Sequence, residues 1–415
     1  CLAVPHVERM VRGGRERAVR RTEAYHPLVR TEFTLADERS FGFDGPFRLL
    51  LDRDGFRCPT GRRDLRITVR EDDLFVLDVR NEDDYEEWHI PGSTNLPVYD
   101  ELLEHDFSTL EAHLDELPAD REIAIICVGG VTSSRAAAVL RDHGFEAASV
   151  ADGMNGWGRV HRAYDVDGVE GVVQIVRPGT GCLSYLVHDG ESAVAVDPSQ
   201  YVDVYLAAAE ERGLDIVAVA DTHAHADHVS GGPDIAAEHD VPYYLHEADA
   251  GDREDVTTVT DGGSIPVGSR ELEVRYTPGH TPGSVSFEFG DSLLSGDTLF
   301  LRSVGRPDLE DSAEDAVRTA ASELFDSLTG LLALDDDTVV LPGHFTDETY
   351  RPLQTDLGAL RDETTNELFS YVAERSSAAS QTESDDAADG DRESFVQTIV
   401  ESLADEPANY NQIKQ

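Results

Sequence analysis

Thr222-His223-Ala224-His225-Ala226-Asp227-His228 is the stretch that decides the reading of this chain. It places three histidines and an aspartate within six residues, directly after the apolar run 216–220. A short apolar run of this kind reads as a buried strand, so the histidines sit at a strand's C-terminal end. Imidazole and carboxylate are the side chains that hold first-row divalent metals, and one loop can aim several of them at a point. Surface histidines also cluster by chance, and one cluster alone would leave that alternative open. Here the pattern recurs at three further strand ends: Tyr276-Thr277-Pro278-Gly279-His280, Leu294-Ser295-Gly296-Asp297 and Val340-Leu341-Pro342-Gly343-His344. A glycine beside each of these three ligands lets the backbone turn sharply under a metal.

Working outward, strand signals fall at 172–176, 183–187, 193–196, 216–220, 243–245, 272–276, 285–289, 292–294 and 338–341. Helical patterns fall at 202–212 and 313–328. This mixture predicts two sheets flanked by helices, an αββα sandwich over 172–375. Residues 376–391 are polar and acidic and predict a disordered surface insert. A last helix is expected at 392–404, within a C-terminal helix and tail spanning 392–415. Upstream, the apolar runs 74–77, 123–126 and 148–150 read as strands. A helix is expected at 133–143, with Ser133 as N-cap and Gly144 past its end. Strands alternating with helices predict an α/β domain with a parallel sheet over 66–164, joined to the sandwich by the turn segment 165–171. Residues 1–66 hold 14 arginines against 10 acidic residues and lack periodicity. The stretch 1–65 is read as a tail or an upstream extension, with no fold assigned.

A chain of 415 residues exceeds one ordinary core and fits two domains. Its net charge of −49 repels nucleic acid and anionic membranes, so neither is expected as a partner. Lys414 is the only lysine; every other basic residue is arginine. An acidic, lysine-poor chain with 40% apolar residues suits a salt-saturated cytoplasm, where screening tames self-repulsion. The charge then reports a halophilic habitat. No apolar run approaches the roughly 18 residues of a membrane span. The N-terminus shows no apolar signal region or cleavage site, so the expectation is a soluble, cytoplasmic protein. Cys1, Cys58, Cys127 and Cys182 form neither a disulfide framework nor a C-x-x-C pattern, which suits a reducing compartment. Oligomeric state is not legible.

Cys127 follows the strand at 123–126 and is separated from the expected helix by Val128-Gly129-Gly130-Val131-Thr132. A thiolate cradled by loop N–H groups at a helix N-terminus has a lowered pKa and can hold a sulfane sulfur. A lone cysteine at a strand end is more commonly just buried. The surroundings favour the working thiol. Leu77-Asp78-Val79-Arg80, Tyr85-Glu86, Trp88-His89-Ile90-Pro91-Gly92-Ser93-Thr94-Asn95-Leu96-Pro97 and Asp152-Gly153-Met154-Asn155-Gly156-Trp157 together resemble the rhodanese domain over about residues 66–164. The resemblance implies that Cys127 becomes a persulfide during turnover. The chain departs from the family at the sixth loop position, where a basic residue is common and Thr132 stands here. Arg135, one turn into the helix, either substitutes for it or does not, so the sulfur donor stays open.

Residues 172–350 resemble the metallo-β-lactamase superfamily, whose seven ligand positions match His223, His225, Asp227, His228, His280, Asp297 and His344. A complete set suits a dinuclear zinc hydrolase of the glyoxalase II type. The segment Gly296-Asp297-Thr298-Leu299-Phe300-Leu301-Arg302-Ser303-Val304-Gly305-Arg306-Pro307-Asp308-Leu309 is similar instead to the persulfide dioxygenase branch. So are Gly181-Cys182-Leu183-Ser184-Tyr185-Leu186 and Glu406-Pro407-Ala408-Asn409-Tyr410-Asn411-Gln412-Ile413. That resemblance implies one Fe(II) held by His223, His280 and Asp297, with His225, Asp227, His228 and His344 close by as supporting residues. Arg306 suits either a substrate carboxylate or an ion pair with Asp308 that shapes the loop. Cys182 is either a small core residue or a participant. The expected function is oxidation of a low-molecular-weight thiol persulfide by O₂ to sulfite, coupled to sulfur transfer at Cys127. A two-zinc thioester hydrolase with an attached rhodanese domain is the alternative, and a non-catalytic persulfide sensor is a third reading.

Overall fold

The computed structural model describes residues 51–52, 74–224, 229–308, 312–345, 353–362 and 385–403. The first sheet runs in the order Leu51–Asp52, Ala147–Val150, Glu122–Ile126, Leu74–Asp78, Thr94–Asn95. Three of its four pairings are parallel, and the edge pair of Leu51–Asp52 with Ala147–Val150 is antiparallel. A parallel sheet is covered on both faces, so its strands are apolar throughout rather than alternating. Ile123, Ala124, Ile125 and Ile126 are accordingly all buried. Successive side chains point to opposite faces. Ile123 and Ile125 pack with Ala136, Ala137 and Leu140 of helix Val131–Asp142, while Ala124 and Ile126 pack with Met154 and Trp157.

Two further sheets form the rest. Seven strands, from Thr257–Val259 at one edge to Arg162–Asp165 at the other, make one; six, from Ser264–Val267 to Thr355–Asp356, make the other. Their inner faces share one core, in which Val176, Tyr185, Val187, Val194 and Val196 meet Leu272, Val274, Phe287, Phe289, Leu294 and Leu341. Helix Asp203–Arg212 covers the outer face of the seven-stranded sheet through Val204, Tyr205 and Ala208. Helix Glu314–Leu331 covers the six-stranded one through Leu324, Phe325 and Leu328, with Phe395 of helix Asp385–Ser402 against them. The layering is the αββα sandwich expected from the strand and helix signals.

Several local expectations need correction. Arg162–Asp165, read as the end of the first domain, pairs antiparallel with Val172–Arg177 and edges the sandwich. Its alternating sequence carried no label of which sheet it would join. Leu51–Asp52, left without a fold, adds to the first sheet. Helix Val131–Asp142 starts two residues early and is preceded by Gly130 at φ 84°, so Ser133 lies inside it rather than capping it. Helix Asp385–Ser402 includes residues 385–391, which the acidic composition had consigned to a disordered insert. Residues 376–384 lie outside the described residues, as does most of 1–65. Among the described residues, no helix is long and apolar enough to cross a membrane.

The first domain and the sandwich meet along a close seam. Trp88 Nε1 donates to the Gly179 carbonyl at 2.6 Å, and Arg177 Nε donates to the Gly158 carbonyl at 2.6 Å. His161 Nε2 lies 3.1 Å from Ser199 Oγ, and burial, with the Arg177 charge beside it, pushes this imidazole down to about 3. A Cβ on Gly179 would stand 2.9 Å from the Trp157 carbonyl oxygen and 3.0 Å from Gly158 Cα. The chain's two tryptophans, Trp88 and Trp157, both touch this seam. Gly179→Ala should therefore destabilise the protein by about 1–3 kcal/mol through overpacking. Tryptophan emission should shift to the red at the same time; an unchanged melting midpoint and emission would show that the seam is looser than described.

Candidate metal centre

The ligand residues stand where strands from both sheets end. His223 follows strand Asp215–Ala220, and Asp297 follows Ser292–Gly296. His280 lies between Arg270–Tyr276 and Val285–Phe289, and His344 follows Val339–Pro342. His223, His280 and Asp297 are buried, and one donor atom from each lies within 4.8 Å of the others. Asp297 Oδ2 is 3.6 Å from His280 Nε2 and 4.0 Å from His223 Nε2. Close backbone approach makes the corner possible: a Cβ on Gly343 would lie 2.4 Å from Asp297 Oδ1, and one on Gly305 would strike the Asp297 carbonyl.

Hydrogen bonds decide which ring nitrogen faces inward. His280 Nδ1 lies 2.9 Å from the Arg306 carbonyl oxygen, which can only accept, so Nδ1 carries the proton. Thr222 Oγ1 donates to the Asp197 carboxylate, at 3.0 Å and 3.1 Å from its two oxygens, and therefore accepts from His223 Nδ1 at 2.9 Å. Both imidazoles thus present the Nε2 lone pair to the cluster. This is the usual way a ligating histidine is oriented by an outer partner. Asp297 completes the donor set as an anion. Burial would raise its pKa, but His344, which hydrogen-bonds it, and then the adjacent His223 and His280 rings hold it well below the usual carboxylate range. Two imidazole nitrogens and one carboxylate oxygen, buried and convergent, fit a divalent transition metal.

Of the remaining positions, His344 sits beside the cluster with Nδ1 donating to Asp297 Oδ1 at 2.8 Å. His225, Asp227 and His228 lie outside the described residues. Arg306 and Asp308 form the ion pair that the sequence left as one of two options, with Nε to Oδ1 at 3.0 Å and Nη2 to Oδ2 at 2.8 Å. Cys182 is buried, accepts from Thr180 Oγ1 at 3.1 Å, and bridges to His344 through its backbone. Sequence reading assigned no role to Thr222 or Asp197. The available signal was a polar pair at the ends of adjacent apolar strands, which periodicity alone does not single out.

In the first domain, Cys127 is buried at the base of a loop whose Val128 and Val131 are exposed. The Gly130 N–H donates to Cys127 Sγ at 3.1 Å, and Ser133 Oγ lies 3.1 Å from the same sulfur. Burial raises the thiol pKa, but the hydroxyls of Ser133 and Thr132 and the backbone N–H groups of Ser133 and Gly129 bring it below its ordinary value. Arg135 does not stand in for a loop cation: its guanidinium donates to the Leu102 and Leu103 carbonyls at 2.7 Å and 3.2 Å.

Residues 177–344 match the family model for the metallo-beta-lactamase superfamily, and residues 64–159 match that for the rhodanese-like domain. The probable metallo-hydrolase YqgX of Bacillus subtilis is 32% identical over 156 residues, covering 32% of this chain and 71% of that protein. A hydroxyacylglutathione hydrolase of Rhodospirillum rubrum is 34% identical, covering 37% of this chain and 57% of its own. The human mitochondrial persulfide dioxygenase ETHE1 is 31% identical, covering 41% of this chain and 66% of its own.

The thiol cradle yields a direct expectation. Hydrogen bonds to a thiolate favour the charged form, so losing one raises the pKa. Alkylation of Cys127 by iodoacetamide should reach half its maximal rate below the roughly pH 8.5 of an ordinary cysteine, with Cys127→Ala as the blank. Ser133→Ala should move that midpoint upward, and an unmoved midpoint would remove Ser133 from the cradle. In its sequence matches, its layered fold and its strand-end ligands, this chain belongs to the metallo-β-lactamase superfamily, with a rhodanese-like domain ahead of its catalytic sandwich.

Proposed function

We propose that the chain is a persulfide dioxygenase, in which R–S–SH, O₂ and water give R–SH and sulfite, coupled to sulfur transfer at Cys127. The observation that carries this reading is the bond from His280 Nδ1 to the Arg306 carbonyl. It builds the Gly305-Arg306-Pro307-Asp308 element, the segment similar to persulfide dioxygenases, directly against a metal-binding residue. The 31% identity to a persulfide dioxygenase supports the same reading.

Each residue then has a task. His223, His280 and Asp297 would hold one iron, which would supply the redox chemistry for the reaction of the persulfide with O₂. Thr222 with Asp197, and the Arg306 carbonyl, keep both imidazoles in the ligating tautomer. His344 holds the Asp297 carboxylate ionised and oriented. The Arg306–Asp308 pair stiffens the loop beside the substrate. In the first domain, the Cys127 thiolate attacks the outer sulfur of R–S–SH; one S–S bond forms as another breaks, giving Cys127–S–S⁻ and R–SH. The Gly130 N–H that donates to Sγ would stabilise either anion. Two sites in one chain see each other's products at high effective concentration. The net charge of −49 supports a salt-rich setting for this chemistry, where screening offsets self-repulsion.

A second reading, a two-zinc thioester hydrolase, draws on the complete seven-residue set in the sequence and on the 34% identity to a hydroxyacylglutathione hydrolase. Metal analysis separates the two. One iron per chain with O₂ uptake on a low-molecular-weight persulfide is expected, measured in molar salt, where charges are screened beyond about 3 Å. Two zincs per chain, thioester cleavage and no O₂ uptake would establish the hydrolase instead. His223→Ala should lose bound metal and lower O₂ uptake by more than the roughly 10–100-fold typical of losing an outer partner of a metal ligand. Undiminished uptake would place the chemistry elsewhere.

A further inference from the structure

One carboxylate that the chemistry above does not use lies between the two histidine loops. Asp249 sits on the short helix Glu247–Ala250, which follows strand Tyr243–His246 of the seven-stranded sheet. Its Oδ2 accepts a hydrogen bond from the Ala224 backbone N–H at 2.7 Å and another from Thr281 Oγ1 at 2.8 Å. Ala224 is the residue after His223, and Thr281 is the residue after His280. The first loop issues from the seven-stranded sheet and the second from the six-stranded sheet. A single oxygen atom therefore ties a ligand loop of one sheet to a ligand loop of the other.

The surroundings are shaped around this contact. A Cβ on Gly283 would lie 2.3 Å from both Cγ and Oδ1 of Asp249, so glycine is what leaves room for the carboxylate. Ser284 Oγ lies 3.0 Å from the Thr281 nitrogen and 2.9 Å from its hydroxyl, which fixes the Thr281 side chain. The helix bearing Asp249 is anchored in turn: His246 stacks on Tyr276 of the six-stranded sheet with ring centroids 4.5 Å apart. On the other chain side of His223, the Val285 N–H donates to the Thr222 carbonyl at 2.8 Å. His223 is thus tied to the second loop through both of its chain neighbours, by a backbone bond at Thr222 and through Asp249 at Ala224.

We propose that Asp249 is a positioning residue, a carboxylate clamp that sets the separation of His223 and His280 and so the affinity for the metal. The inference rests on the metal centre described above, but on neither the identity of the metal nor the reaction. Ligand bonds of about 2.0–2.2 Å leave donor atoms only a little over 3 Å apart, so an ångström of drift between the loops dismantles the set. A charge-assisted bond to each loop resists that drift more strongly than a neutral one.

The test is competition with a chelator for Zn(II), and anaerobically for Fe(II), together with the melting midpoint of the metal-free protein. Asp249→Ala should bind each ion about 10–100-fold more weakly than wild type, while its metal-free midpoint stays near that of wild type. Asp249→Asn, whose amide oxygen can accept both bonds, should recover most of the affinity. Thr281→Val, which removes one donor and keeps the carboxylate, should fall between, and it serves if Asp249→Ala does not fold. Affinities within about threefold of wild type for Asp249→Ala, or for Thr281→Val in its place, overturn the clamp. So does an Asn variant as weak as the Ala variant. A wild-type chain that binds neither ion overturns the metal centre and the clamp together.

Discussion

The Asp297 carboxylate is the group on which the architecture of the site depends. It is buried, and an ionised carboxylate out of water is tolerated only when surrounded by donors or cations. One oxygen faces His223 and His280, and the other accepts from His344. These three histidines come from the ends of three other strands, two in the same sheet as Asp297 and one in the facing sheet. The site therefore exists only where the two sheets are correctly apposed, and the inter-sheet core of Tyr185, Val196, Phe287 and Leu341 supplies that apposition. A metal would meet the same electrostatic requirement more completely than the histidines do alone.

Outer hydrogen bonds orient this cluster as a set of candidate metal ligands. A histidine offers a metal a lone pair only when its other nitrogen holds the proton, and each ring here has an acceptor that fixes it there. The acceptors come from unrelated parts of the chain: Thr222 backed by Asp197, the Arg306 carbonyl, and Asp297 itself. The loop carrying Arg306 thereby has a structural task before any substrate arrives. Its guanidinium is paired with Asp308, which lowers the Asp308 pKa and keeps the loop's shape.

The rhodanese-like domain is joined to the sandwich by packing as well as by covalent continuity. Met154 N–H donates to the Cys127 carbonyl at 2.8 Å, and the same short helix, Gly153–Trp157, abuts Gly179 of the sandwich through Trp157. Gly181 in turn accepts from the Phe345 N–H, next to His344. A series of close approaches thus runs from the thiol loop to the edge of the candidate metal centre. It gives the two sites a defined relation within the fold.

Much of this was legible from residue types and periodicity. The strand ends bearing His223, His280, Asp297 and His344 were readable because apolar runs of strand length stop at polar candidate ligands, the last three of them preceded by glycine. The position of Cys127 was readable from a strand, a glycine pair and a helix in succession. Both signals are local, carried by neighbours in the chain. What only the tertiary structure decided is non-local. Arg162–Asp165 joins the sandwich sheet, Arg135 turns to the Leu102 and Leu103 carbonyls, His280 meets the Arg306 carbonyl, and Asp249 bridges two loops. Each outcome depends on which distant backbone or side chain lies within about 3 Å, the reach of a hydrogen bond. Periodicity specifies which face of an element is buried, but it does not specify what that face or its ends will meet. The sequence by itself therefore determined the candidate ligands and the layers, and the packing of two sheets determined how those residues are held.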